Sequence, residues 1–338
     1  AGPYCATLLA EHGADVIRIE KRTGSEDRFQ APITETNDGA LFMQMNRNKR
    51  GMTLDPMKPE GQEVARRLIK TADVVVANLP PQTLKAMKLD YASLCEVKPD
   101  IILTTVSAFG HGGPYSHRVG FDAIGQVMSG AVYMTGTEDQ PYRAQAPYVD
   151  FGTALHCAFG TMAALMHRKA TGRGQMVEGA LLARAVAVSN ALLIEQAVVK
   201  PDRVPTGNRG QTSAPVDLFK TKDGWIVTQV VGDPLFVRWA KLMGEEHWLT
   251  DPRFKDDISR GNHGEVISAR MRTWCAERTS KDAIAQLEAA SIPAGPMLKP
   301  QQVLDDEHVN AMKFFQPTEF PGIAKPAPIA KVPVWLSE

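Results

Sequence analysis

Along residues 1–110 the apolar positions switch between helical and extended spacing, the mark of alternating β/α units around a parallel sheet. Residues 4–12 predict a helix stopped by Gly13, and residues 15–20 (DVIRIE) a strand. A weaker strand is predicted over residues 51–55, then a helix over residues 59–71 with Pro59 in its first turn. Residues 73–79 (DVVVANL) and 100–107 (DIILTTVS) are apolar enough for buried strands, with a helix over residues 82–95 between them. The order predicts an α/β fold with a Rossmann-like, doubly wound large domain. No GxGxxG follows an early strand, so a nicotinamide dinucleotide is not indicated.

From Phe121 to Asn190 the pattern turns mainly helical. Residues 122–129 predict one helix, and a longer one follows Asp150. There Leu155, Phe159, Met162, Ala163 and Met166 recur at spacings of three and four, which predicts one buried face. Asp150 stands between an extended PYV and that helix, where Asp is a strong N-cap. A carboxylate there also meets the positive end of the helix dipole, and with an ordinary pKa of about 3.9 it is ionised at neutral pH and available as a nucleophile. Residues 175–197 read as a long Ala-rich segment continuing the helical region.

Residues 201–215 (PDRVPTGNRGQTSAP) are rich in Pro and Gly and read as a linker or an active-site loop. Beyond it, residues 217–231 predict a hairpin turning at Lys222-Asp223-Gly224, followed by helices over residues 234–243, 266–277 and 280–290 and an extended piece at 292–298. That is a smaller α+β domain. The predicted division is a large domain over 1–200, a linker over 201–216, a small domain over 217–310, and an extended segment over 311–338 returning to the large domain.

Composition narrows the function classes. Lys+Arg and Asp+Glu both number 38, so no global field favours nucleic acid. Cys5, Cys95, Cys157 and Cys275 are far apart with no CxxC or Cys/His spacing, as expected of reduced, buried thiols in a cytoplasmic protein without a metal site. No apolar run in the sequence reads as a membrane span. Local charge is more telling. Lys21 and Arg22 follow the first strand, and Arg47, Lys49, Arg50 and Lys58 surround the second, where a parallel sheet meets ligands, which favours a phosphate-rich one. SAFGHGGP, residues 107–114, is a glycine turn whose amides can approach an oxygen closely; His111 and His117 flank it with no carboxylate at triad spacing.

Five segments, in this order, resemble the family III CoA-transferases, also called the CaiB/BaiF family. They are AGPYCATLLAEHGADVIRIE, NRNKRGMTLDPMKPEG, ADVVVANLPPQTLKAMKLDYASLCEVKPDIILTTVSAFG, GFDAIGQVMSG and the Asp150 segment with its ATGRGQMV tail. The resemblance covers nearly the whole chain. It implies a Rossmann-like domain with a smaller second one, and an interlocked homodimer. It also implies a strand before Ala1 and further chain after Glu338. The substrates implied are an acyl-CoA and a small carboxylic acid, with no permanently bound cofactor and no metal, nucleic acid or membrane partner.

The resemblance further implies that Asp150 attacks the thioester to give an aspartyl anhydride and then an aspartyl-CoA thioester. Lys21 or Arg22 would meet the nucleotide. Leu54, Met57 and Lys58 would line the adenine and phosphates, and Asn78, Leu79 and Pro80 would follow. Ala86 stands where the family often has Arg, with Lys85 beside it, and Arg118 lies one position from a family cation. Phe121 and Asp122 complete the implied CoA contacts, and Gly207, Asn208 and Gly210 match a glycine loop over the site. Acyl-CoA racemases of the same superfamily carry GHD where this chain has Gly120-Phe121-Asp122, and a phenyl ring cannot exchange a proton. No second cation is obvious beside Asp150, which disfavours a dicarboxylic acid, although Arg143 or Arg209 could supply one. A noncatalytic CoA-binding protein with Asp150 as a mere cap is the rival of another class.

Overall fold

The computed structural model describes residues 1–36 and 38–337. In chain order it runs α1 (Gly2–Glu11), β1 (Val16–Glu20), α2 (Ala40–Met45), β2 (Lys49–Thr53), α3 (Pro59–Thr71), β3 (Val74–Ala77), α4 (Pro81–Ala86), α5 (Tyr91–Val97), β4 (Ile102–Ser107), α6 (Asp122–Met128), α7 (Tyr148–Thr171), β5 (Met176–Ala180) and α8 (Leu181–Val198). After these come β6 (Val216–Lys220), β7 (Trp225–Gln229), α9 (Asp233–Met243), α10 (Asp257–Asn262), α11 (Gly264–Ala276), α12 (Ser280–Ala289), β8 (Ala294–Pro296), β9 (Phe315–Thr318) and β10 (Ala327–Ala330). Two compact units emerge. One holds residues 1–131, 143–200 and 308–338, the other residues 132–142 and 201–307.

In the first unit the parallel strands form two ladders, β1–β2 and β3–β4–β5, instead of one doubly wound sheet, and α1 touches both β1 and β3. The segment at 82–95 divides into α4 and α5 because Lys88 takes a left-handed φ of 55° and Asp90 caps α5 through the Ser93 amide. The Ala-rich segment at 175–197 is not helical throughout. Its first residues pair as β5 with β4, in register Leu103 to Met176, before α8 begins. In-line pairing beside a buried strand outweighs local propensity there.

One expectation is reversed. The stripe of Leu155, Phe159, Met162 and Met166 on α7 is exposed, while Val149, Thr153, Ala154, Cys157, Ala158, Thr161 and Ala164 face inward. The reason is close approach. A Cβ on Gly160 would come within 2.9 Å of Val177, and one on Gly179 of β5 would collide with Cys157 Sγ, so only small side chains fit between helix and strands. Thr161 and Thr104 close the contact with a 2.6 Å hydrogen bond. By length and composition alone α7 and α8 could each cross a membrane, which the sequence reading did not anticipate, but the inner face of α7 packs on β4 and β5 as a core helix does.

The second unit carries the antiparallel sheet β6–β7–β8 with the predicted hairpin closed by the Thr221 amide on Gly224 O at 3.0 Å. Phe219, Ile226, Trp239, Met271 and Leu287 form its core.

Candidate active site

Asp150 lies in the first turn of α7, but it is not the cap. The helix begins two residues earlier at Tyr148, with Pro147 in the N-cap position and its carbonyl taking the Phe151 amide at 3.1 Å. The capping carboxylate comes from another element. Asp122, the first residue of α6, is buried and accepts the Asp150 amide on Oδ1 at 2.8 Å. Its Oδ2 accepts from Gln126 Nε2, and Gln126 Oε1 in turn accepts the Ala144 amide at 2.9 Å. An orphan donor of α7 is thereby satisfied by a charge held on α6. Asp122, expected to meet CoA, uses both oxygens within the protein.

The Asp150 side chain is thereby left for other work. It keeps 26% of its surface accessible, and the Ala1 nitrogen stands 3.3 Å from Oδ1. Ala1 is the N-cap of α1, so the carboxylate sits where the N-termini of two helices, α1 and α7, converge. Both dipoles favour negative charge there. Tyr4 and Phe151 pack beside it with ring centroids 4.4 Å apart. Asn78, just after β3, lies against the same turn of α1. A Cβ on Gly2 would come within 2.7 Å of Asn78 Oδ1, so the glycine is what admits this approach. Sequence reasoning missed the α1 turn as part of the site, although the Gly-Pro that starts it was visible.

The other expected ligand residues fall as follows. Arg22, Met57, Lys58, Leu79, Pro80 and Lys85 are exposed, and Leu54 is half-buried. Lys21 pairs with Glu26 at 2.9 Å, and Arg118 lies 3.9 Å over the Tyr115 ring. Phe121 is 80% exposed and precedes α6. Besides Lys21, three more of the six clustered cations have partners within the protein: Arg47 pairs with Glu11, Arg50 with Asp15 at 2.6 Å, and Lys49 points inward to Pro3 O and Met45 O, both at 2.7 Å. Burial pulls the Lys49 ammonium down to about 7, the Arg18 charge adding to the effect.

His111 has a carboxylate after all. Glu178 of β5 approaches its Nε2 to 3.2 Å, a partner no local spacing signals. The pair rims a cavity of about 240 Å³ on the sheet face away from α7, into which the buried Thr105 faces with no partner for Oγ1. In the second unit Gly207 takes a left-handed φ of 70° and its amide donates to Gly136 O, the Gly210 amide donates to Val216 O, and Asn208 is exposed. Arg209 is held by Glu265 at 3.7 Å and Gly261 O at 3.5 Å, whereas Arg143 is exposed. Arg184 of α8 lies flush on Gly152, its Nε buried without a partner.

The family model for CoA-transferase family III matches residues 1–338. The chain is 32% identical to the succinyl-CoA–L-malate CoA-transferase beta subunit of Chloroflexus aurantiacus, across 93% of this chain and 78% of that protein. It is 30% identical to the succinate–glutarate CoA-transferase of Agrobacterium fabrum, across 99% of this chain and 87% of that one. Its fold superposes on a CaiB/BaiF family protein from Brucella suis with a TM-score of 0.85 at 28% identity, covering 100% of this chain and 89% of the other. With the whole chain matched in both sequence and fold, the protein belongs to CoA-transferase family III.

Proposed function

We propose that the protein moves coenzyme A from an acyl-CoA to a small carboxylic acid, with Asp150 as the covalent carrier. The observation that carries this reading is the accessible Asp150 carboxylate at two converging helix N-termini, with its amide anchored by Asp122 and its own helix capped without it. Asp150 Oδ attacks the thioester carbonyl, the C–S bond breaks, and CoA leaves as thiolate while a mixed anhydride forms. The thiolate then attacks the aspartyl carbonyl and expels the donor as its carboxylate, leaving an aspartyl-CoA thioester. An acceptor carboxylate repeats the sequence in reverse and restores Asp150. The anhydride hydrolyses readily in water, so a closed site is required during this step.

CoA is bound by Lys21 or Arg22, the Leu54 to Lys58 stretch and Asn78 to Pro80, with Lys85 and Arg118 at its edge. The exposure of Arg22 and Lys58 and the lodging of Asn78 against the first turn of α1 support this. Phe121 offers no group to take an α-proton, which favours transfer over racemisation. The working form is a homodimer, interlocked as in the family it resembles. Phe159, Met162 and Met166 of α7, and Ile194 and Val198 of α8, are exposed apolar side chains, which supports a partner against these helices.

An Asp150→Ala variant tests the reading. Transfer between acyl-CoA donors and acceptor acids, followed by mass spectrometry, is expected to vanish while CoA binding persists, and hydroxylamine added during wild-type turnover is expected to mark Asp150. Turnover retained by the variant refutes the covalent role.

A further inference from the structure

Lys49 is a cation of the cluster that the ligand reading leaves without a use, and unlike Arg47 and Arg50 it has no carboxylate partner. It begins β2, yet its side chain turns into the protein and its Nζ meets three acceptors: Pro3 O at 2.7 Å, Met45 O at 2.7 Å and Asn46 Oδ1 at 2.9 Å. Three N–H bonds of an ammonium match three oxygens, one of which belongs to the first turn of α1. Thr7 reinforces the same link, its hydroxyl lying 3.0 Å from Pro3 O and also within reach of Met45 O. Pro3 stands two residues from Ala1, whose nitrogen faces Asp150 Oδ1 at 3.3 Å.

The neighbouring charged groups have partners of their own, although Arg18 shares Asn46 Oδ1 with Lys49. Arg18 of β1 forms a two-pronged pair with Asp27 at 2.8 and 2.9 Å and also donates to Asn46 Oδ1. Asp27 is thus occupied by Arg18, and burial holds the Cys5 thiol of α1 up at about 12, protonated at neutral pH. Neighbouring Arg47 is paired with Glu11. The carbonyl of Pro3 therefore takes its charge-assisted bond from Lys49.

We propose that Lys49 is a positioning residue for the transfer reaction: it pins the first turn of α1, and through that turn fixes the helix N-terminus that faces the Asp150 carboxylate. This rests on the assignment of Asp150 as the carrier. As the ammonium loses its proton, two N–H bonds remain for three oxygens and the pin loosens, so transfer acquires an alkaline limb set by Lys49.

The test compares Lys49→Met, Lys49→Arg and Thr7→Val with the wild type in the complete protein, reading kcat, CoA affinity, the pH profile of kcat and amide exchange at the Cys5 N–H that closes the first turn on Ala1 O. The Met variant is expected to lose about 10- to 100-fold in kcat with CoA affinity within threefold, since misplacement away from the chemistry costs rate more than binding. Its kcat should no longer fall as pH rises through 7, Cys5 exchange should quicken, and the always-charged Arg should recover part of the rate and lack the limb. Thr7→Val is expected to change kcat and exchange in the same direction by a smaller factor. Should Lys49→Met not fold, Thr7→Val decides the matter, because its unaltered kcat and exchange overturn the proposal. A folded Met variant with kcat within twofold, an unshifted pH profile or unaltered Cys5 exchange also overturns it. Exchange does not depend on chemistry, so a failed pin is distinguishable from a failed carrier, which Asp150→Ala reports.

Discussion

Replacing Asp122 with Asn changes one oxygen to nitrogen and tests how the candidate nucleophile is held. In the protein Asp122 Oδ1 takes the Asp150 amide and Oδ2 takes Gln126 Nε2, while Gln126 Oε1 is already committed to the Ala144 amide. An Asn at 122 can keep one carbonyl oxygen on the Asp150 amide, but its NH2 then faces the NH2 of Gln126, two donors with nothing between them. Turning Gln126 over moves the conflict to the Ala144 amide. Asp122 is 8% exposed, so water offers little relief. Losing a charged acceptor bond is worth about 1.5–3 kcal/mol, and the helix N-termini lose about 0.3–1 kcal/mol of dipole interaction. Asp122→Asn is therefore expected to lower unfolding stability by about 2–3 kcal/mol by urea denaturation, and to reduce kcat as the first turn of α7 shifts. Gln126→Glu added to that variant places a carboxylate opposite the new NH2 and should restore at least about 1 kcal/mol, although Gln126→Glu alone sets two carboxylates together and is destabilising. An Asp122→Asn protein within about 0.5 kcal/mol of wild type, or strictly additive effects in the pair, would refute the network.

Gly179→Ala drives a methyl into Cys157 Sγ and to 3.2 Å from Thr153 Cγ2, and should cost about 1–3 kcal/mol in thermal or urea unfolding, with Cys157→Ala recovering much of it. Lys49 lies near 7 in the folded chain against an ordinary 10.5, so the unfolded chain binds more protons between those values. Stability should accordingly rise with pH from about 7 to about 10.5, by up to ~1.4 kcal/mol per unit, from a penalty that is complete below 7; urea midpoints for Lys49→Met should lack that contribution. Arg260 of α10 is buried against the Phe236 ring, 4.6 Å from its centroid, and pairs with Asp233 and Asp257. Arg260→Ala should destabilise the second unit by about 2–4 kcal/mol in calorimetry, and Arg260→Met distinctly less, because Asp233 is largely solvated and the stem packing is kept.

Where structure is local, the sequence was a good guide. DVIRIE and DIILTTVS are strands because their apolar density leaves no amphipathic helix to form, and the Lys222-Asp223-Gly224 turn set its hairpin by its own chemistry. Asp150 was legible as a special carboxylate, but its relation to the helix was not, since the cap that frees it comes from Asp122 twenty-eight positions away. The inner face of α7 was misjudged for a related reason. Periodicity finds the large apolar residues, whereas a helix seated closely on strands turns its smallest ones inward. β5 escaped notice because MVEGA runs into an Ala-rich helix without a turn between them. Glu178 with His111 and Lys49 with Pro3 join elements far apart in the chain, and such pairs leave no spacing to read.

The seat of α7 on its strands also limits how this protein can change. Gly160 and Gly179 have no smaller substitute, and an added carbon at either collides with the facing element. The height of Asp150 above the sheet is thus set by side chains already at their minimum. Under the proposed reading, new acid specificities are consequently barred from arising by deepening or shimming the floor beneath Asp150. Variation has to enter away from that seat, such as at the exposed residue before α6, Phe121, and in the exposed segment after β3.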